Sequence, residues 1–210
     1  MTTAPQAPRK LPIVPILFGV VAIALVAVVV LTFDSGSTSA ETGTPVVTGD
    51  YLPVFPDNTA DPGLGLTIPA VTSTDYAGNE VSISPTDGTA KILLFVAHWC
   101  PHCQVEVPVV QDWLNTNPLP AGVELISIST GISSARDNYP PSAWLDRENW
   151  TSPVLKDSTA SEIGQAFGLP AYPYWVFVGA DGQVLQRATG ELSTVALDNA
   201  AAALAATVGG

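Results

Sequence analysis

Unbroken apolar runs alternate along this chain with polar, turn-rich stretches, and the first run differs from the rest. Residues 11–33 (LPIVPILFGVVAIALVAVVVLTF) carry no charge over 23 positions. At about 1.5 Å per residue such a helix reaches roughly 35 Å, enough to cross a hydrocarbon core of about 30 Å. Pro12 and Pro15 fall near its start, where proline costs least. Residues 34–66 are rich in Ser, Thr, Gly, Pro and Asp and predict a tether, along which residues 51–55 have the apolar character to dock on a domain.

From residue 67 the runs shorten and acquire a rhythm. Extended segments at 66–72 and 80–84 flank the turn-rich Tyr76-Ala77-Gly78-Asn79, which predicts a hairpin. Residues 91–97 (KILLFVA) read as a strand buried on both faces, followed by a helix over 101–115 with Pro108 inside it. Another interior strand is predicted at 123–129. Residues 131–151 form a polar, aromatic insertion with a short helix opening near Pro141, and Asn149-Trp150-Thr151 matches a glycosylation acceptor pattern that arises often by chance. A short strand at 153–156 precedes Thr159-Ala160-Ser161-Glu162, which fits a helix-capping box, with Gly168 suited to that helix's end. Residues 174–178 give a further buried strand, Asp181-Gly182 a hairpin turn, and 183–188 its partner, before Ser193 caps an alanine-rich last helix. The order predicts one α/β domain over 67–208, a mixed central sheet with helices on both faces.

Charge orients this plan. Arg9 and Lys10 precede the long apolar run, and beyond Phe33 five basic residues face nineteen acidic ones. The positive-inside tendency then puts residues 1–10 in the cytoplasm, 11–33 across the membrane and the domain outside it. A cleaved secretory signal ending near residues 38–40 is the alternative, but its apolar stretch is usually about 7 to 15 residues. Either route leads to a compartment that tolerates disulfides. Such acidity argues against binding nucleic acid or anionic lipid.

The candidate chemistry is concentrated in HWCPHC, residues 98–103, which holds both cysteines and both histidines of the chain. A cysteine at a helix N-terminus meets unpaired N–H groups and the positive end of the helix dipole, which favour thiolate. Cys100 is therefore the attacking sulfur, and Cys103, one turn on, is placed to resolve a mixed disulfide. Pro101 suits the first helical turn, and a protonated His102 adds positive charge near the thiolate. A purely structural disulfide closing so small a loop has little stabilising use. A copper or zinc chaperone is the reading from another class, since His98, Cys100, His102 and Cys103 are four soft ligands in six residues. Ligands on one helical turn converge poorly, and the sequence has no distant His or Cys to complete a tetrahedron. His98 by itself reads as a half-exposed loop residue.

KILLFVAHWCPHCQVEVP, followed about seventy residues later by AYPYWVFVGADG, resembles the thioredoxin fold. More narrowly it is similar to the TlpA/ResA-like membrane-anchored, extracytoplasmic thiol:disulfide oxidoreductases. The resemblance covers residues 64–208. It implies a thioredoxin-like α/β fold, a Cys100–Cys103 redox pair that needs no other cofactor, Trp99 packed beside the pair, Pro108 bending the helix, and Pro173 as a cis proline facing the sulfurs. It further implies exported cysteine-containing proteins as substrates and a membrane redox partner. Glu106 matches the family's acidic position, three residues after Cys103, and could take the proton from that thiol. Leu94 stands where thioredoxin has a buried aspartate, and Tyr172 precedes Pro173 where the family often has a smaller residue; Tyr172, Pro173 and Trp99 are the candidate substrate contacts. His102 in CPHC points to a Dsb-type oxidant, whereas Glu106 and the ordered family features point to a reductant, as in cytochrome c maturation.

Overall fold

The computed structural model describes residues 41–56 and 59–209. The expected cytoplasmic segment, membrane span and cleavage site lie outside the described residues. Among the described residues, no helix is long and apolar enough to cross a membrane.

The core is a five-stranded mixed sheet. Its strands are β4 (Ala90–Val96), β5 (Val123–Ser129), β6 (Val154–Lys156), β7 (Tyr174–Val178) and β8 (Val184–Thr189), in the order β6-β5-β4-β7-β8. β5 runs parallel to β4 and β6, while β7 is antiparallel to β4 and β8. Every residue of β4 and β7 is buried, as their continuous apolar runs require when both faces of a sheet are covered. Alternation still sorts the side chains. Ile92, Leu94 and Val96 face α1 (Pro101–Thr116) and the terminal helix α4 (Thr194–Ala205), packing with Val107, Val110, Trp113, Leu197 and Leu204. Leu93 and Phe95 face the other way, onto α3 (Glu162–Ala166) through Ile163, Ala166 and Phe167.

A second sheet is formed by β1 (Val46–Thr48), β2 (Ala70–Thr74) and β3 (Glu80–Ile83), all antiparallel. The predicted hairpin is β2–β3, but its first strand begins at Ala70. Residues 66–68 are committed elsewhere: Val184 N–H donates to Leu66 O, Thr67 bridges Gln183, and Ile68 N–H donates to Gly182 O.

The stretch expected as a tether departs from that expectation over its described part. β1 pairs with β2, Leu52 is buried, and the N–H groups of Leu52 and Phe55 donate to Ala166 O and Gly168 O, so residues 51–55 do dock. The physical reason is polar as much as apolar. The guanidinium of Arg187 is fully buried, and it is satisfied by the Asp61 carboxylate and the Pro53 carbonyl, both contributed by this stretch. The folded unit thus starts well before residue 67.

The capping box at 159–162 is also not used. Ser161 is left-handed, with φ 56°, and makes no side-chain cap. Asp157 caps α3 instead, its carboxylate accepting the N–H groups of Ile163 and Gly164 at 2.9 and 3.0 Å. Ser193 caps α4 as predicted, accepting from Ala196 N–H.

Candidate active site

Strand β4 ends at Val96, the chain crosses Ala97 to Trp99, and α1 opens with Cys100 as N-cap and Pro101 in its first turn. Pro101 lacks an N–H that would be unpaired there anyway, so the sequence starts a helix at the cysteine. Cys100 remains 6% exposed and Cys103, one turn inward, is fully covered; both are free thiols. The Cys100 thiol donates to the carbonyl oxygen of Tyr172 at 3.7 Å. The Tyr172–Pro173 bond is cis, and the carbonyl before it faces the helix start.

The two sulfurs differ in surroundings. Burial pushes the Cys103 thiol well above the ordinary cysteine range, and the nearby charges of Cys100 and Glu106 add to the effect. Glu106, on the same helix, is 1% exposed, and burial pushes its carboxyl up to about 7, against the lowering effect of one hydrogen bond from Leu192 N–H at 2.9 Å. Leu94 lies under the helix in the same apolar layer as Cys103, so that position offers no acid or base.

Trp99 donates its indole N–H to Gly131 O at 2.7 Å, packs edge-on to Tyr172 at 5.7 Å, and carries the Arg136 guanidinium over its face at 4.7 Å. Tyr172 is thus a neighbour of Trp99 and of Cys100 at once.

The two histidines lie in different environments. His98 is completely buried, which corrects the half-exposed expectation. Its Nδ1 donates to Asp137 O at 2.6 Å and its Nε2 accepts from Ser133 N–H at 3.2 Å, while burial lowers its pKa, so the ring is neutral and both nitrogens are engaged. Its role is to pin the insertion that begins at residue 131 against the strand–helix turn. The insertion's own helix is α2 (Pro141–Arg147), which buries Trp144 and Leu145. His102 is exposed and pairs through Nδ1 with Glu191 at 2.8 Å. Among the described residues, no group of three or more His, Cys, Asp or Glu side chains is arranged to hold a metal ion.

Cys100, Cys103, Glu106, Trp99, Tyr172 and Pro173 therefore meet at one end of the sheet, with His102 at the rim. Sequence reasoning missed Glu191 and Arg136. Neither belongs to a periodic pattern; the sole hint at Glu191 is a charged residue directly before a capped helix.

The comparisons with known proteins agree with this architecture. A redoxin family model matches residues 64–204. The chain is 30% identical to tryparedoxin from Trypanosoma brucei brucei over 121 residues, covering 57% of this chain and 81% of that protein. It is 25% identical to the thiol-disulfide oxidoreductase ResA of Geobacillus kaustophilus, covering 68% and 78% of the two chains. Among solved structures, a secreted Mycobacterium tuberculosis disulfide oxidoreductase homologous to E. coli DsbE aligns at 26% identity with a TM-score of 0.53, covering 63% of this chain and 95% of that one. With this fold and paired cysteines at the start of α1, the chain belongs to the redoxin family of thioredoxin-fold proteins and is a thiol:disulfide oxidoreductase.

Proposed function

We propose that this protein is a membrane-anchored extracytoplasmic reductant of disulfides in exported proteins, held by residues 11–33 and serving cysteine-containing partners such as those of cytochrome c maturation. The observation that carries the reading is Glu106, a buried carboxyl pushed up to about 7 beside a Cys103 thiol that burial holds protonated. A thiol that resists ionisation needs a base at the moment it attacks, and a carboxyl near 7 is matched to that task.

The cycle runs on the two sulfurs alone. The Cys100 thiolate attacks one sulfur of a substrate disulfide, forming a mixed disulfide and releasing the other sulfur as a thiolate. Cys103 passes its proton to Glu106 and attacks the Cys100 sulfur, so the Cys100–Cys103 disulfide forms and the second substrate thiolate leaves. The substrate gains two electrons and the enzyme loses them; a membrane dithiol partner restores the reduced pair. No cofactor beyond this disulfide is required. Trp99, Tyr172 and Pro173 form the surface on which the substrate strand docks, with the Tyr172 carbonyl already oriented toward the Cys100 sulfur.

The orientation of His102 supports the reductant over the Dsb-type oxidant. Its imidazole is paired with Glu191, so a protonated ring has its charge balanced by that carboxylate instead of by the Cys100 sulfur. Equilibrating the protein against glutathione buffers tests the direction: a potential well below that of DsbA, about −120 mV, is expected, and a value near it overturns the reductant. Cys103→Ser should accumulate mixed disulfides through Cys100, and Cys100→Ser should abolish exchange. Alkali-washed membranes should retain the full-length chain; release of a chain starting near residue 41 would refute the anchor.

A further inference from the structure

Three successive residues after β8 each hold a different part of the site. Gly190 N–H donates to Pro173 O at 2.9 Å, Glu191 pairs with His102 at 2.8 Å, and Leu192 N–H donates to Glu106 at 2.9 Å. The turn is anchored behind by Ser193, the cap of α4, and from below by Trp175, whose indole N–H donates to Gly190 O at 3.2 Å. Gly190 adopts φ 84° with open space around its α-carbon, a left-handed conformation that lets the turn reverse onto the cis-proline loop.

The pair itself is exposed, its side chains retaining 69% and 42% of their accessibility. Such a pair contributes little to stability. What makes it consequential is its attachment: Glu191 sits one residue from the N–H that holds Glu106, and His102 one residue from Cys103.

We propose that the 190–192 turn is a positioning element of the active site, fastened to the CPHC segment by the Glu191–His102 pair, which commits the imidazole to Glu191 and away from Cys100. It rests on the base role given to Glu106. With the pair intact, Leu192 N–H is held on the Glu106 carboxylate, and the imidazole is held by Glu191. With the pair broken, the turn loosens over Glu106 and the imidazole loses its carboxylate partner, so that positive charge on a protonated ring is balanced by the Cys100 thiolate in place of Glu191, an arrangement that stabilises the reduced form and makes the enzyme more oxidising.

The test is a double-mutant cycle in the full-length protein with Glu191→Gln, His102→Gln and both together, read by two measurements: the glutathione equilibrium and the rate at which the mixed disulfide resolves. Glu191→Gln is expected to shift the equilibrium toward the reduced enzyme about two- to five-fold, the size of an exposed charge interaction. His102→Gln alone is expected to leave it unchanged, and the double variant to return it to the parent value. Each single variant should slow resolution to a similar degree, with the double variant no slower. Effects that multiply in the double variant, a His102→Gln shift as large as that of Glu191→Gln, or no change in either measurement would overturn the proposal. Glu106→Gln is run alongside. If it leaves resolution unchanged, the base role falls by itself, and the equilibrium cycle still decides on the turn.

Discussion

Glu106 and Asp157 are both buried to within 1% of complete, and burial pushes both carboxyls upward, yet the fold holds them in opposite ways. Asp157 accepts three backbone N–H groups, from Ser158, Ile163 and Gly164, at 2.8 to 3.0 Å. Glu106 accepts one, from Leu192. A carboxylate with three donors has its charge compensated and its lone pairs occupied, which suits a helix cap. One with a single donor keeps room for a proton beside Cys103. At nearly equal burial, the two carboxylates differ in how many backbone donors the fold supplies.

The largest expected effect follows from Glu106. Its ordinary value of 4.5 is raised to about 7 in the fold, so the native state binds the proton more tightly than the unfolded chain does. The favourable contribution is complete below about pH 4.5, the unfolded value, and is lost as pH rises through about 7, on the order of 3 kcal/mol in all. Glu106→Gln should remove that slope from a series of denaturant titrations across this window. The same substitution should slow resolution of the mixed disulfide about 100-fold, the lower end of general-base effects, while the first attack by Cys100 is little changed. In the parent enzyme the resolution rate should fall as pH drops through about 7, because the protonated carboxyl cannot accept from Cys103. Equal slowing of both steps would return Glu106 to the class of Asp157.

Asp157→Asn should act in the opposite sense, on stability and not on chemistry. An amide can present its oxygen to two of the three N–H groups, and its own NH2 then meets the third, leaving a buried donor unpaired at a cost of about 2 kcal/mol. Thermal unfolding should shift down accordingly, while the resolution rate per folded molecule is unchanged. A slowed resolution step at unchanged stability would show that Asp157 communicates with the sulfurs and would dissolve the distinction.

The contrast also marks what the sequence could tell. The strands were legible because β4 and β7 are almost wholly apolar and β5 carries Val, Leu and Ile among a few polar residues, while the candidate site was read from two cysteines within one short segment, with Glu106 and Pro173 added by the resemblance to the thioredoxin fold. Asp157 was not found, because Thr159 to Glu162 offered a better local cap than a carboxylate two residues further back. What decided the cap was tertiary: Asp157 lies at the end of β6, and the sheet delivers it to α3 already oriented. His98 was misread for a similar reason, since its partners Ser133 and Asp137 lie 35 and 39 residues away, in an insertion with no periodicity. The tether was misread because polar composition resembles a linker, while Asp61 and the Pro53 carbonyl are required by an arginine 126 and 134 residues further on.

The smallest effect is expected at Thr130, and it measures how far the Asp157 side reaches toward the site. Its Oγ1 is fully buried without a well-formed hydrogen bond, and it faces Asp157 and the hydroxyl of Tyr172 closely enough to offset part of the effect of burial on each. Thr130→Val keeps the shape and removes the hydroxyl. Because the three backbone donors already satisfy Asp157, the loss should stay under about 1 kcal/mol, below the usual value of a buried hydrogen bond. Tyr172, whose ring is held by Trp99 and whose carbonyl meets Cys100, should keep its place, so the attack rate should not change. A loss of about 2 kcal/mol would mean that Asp157 depends on a fourth donor, and a slowed attack would mean that the hydroxyl links the α3 cap to the cis-proline loop. Either result would redraw the line between the two carboxylates.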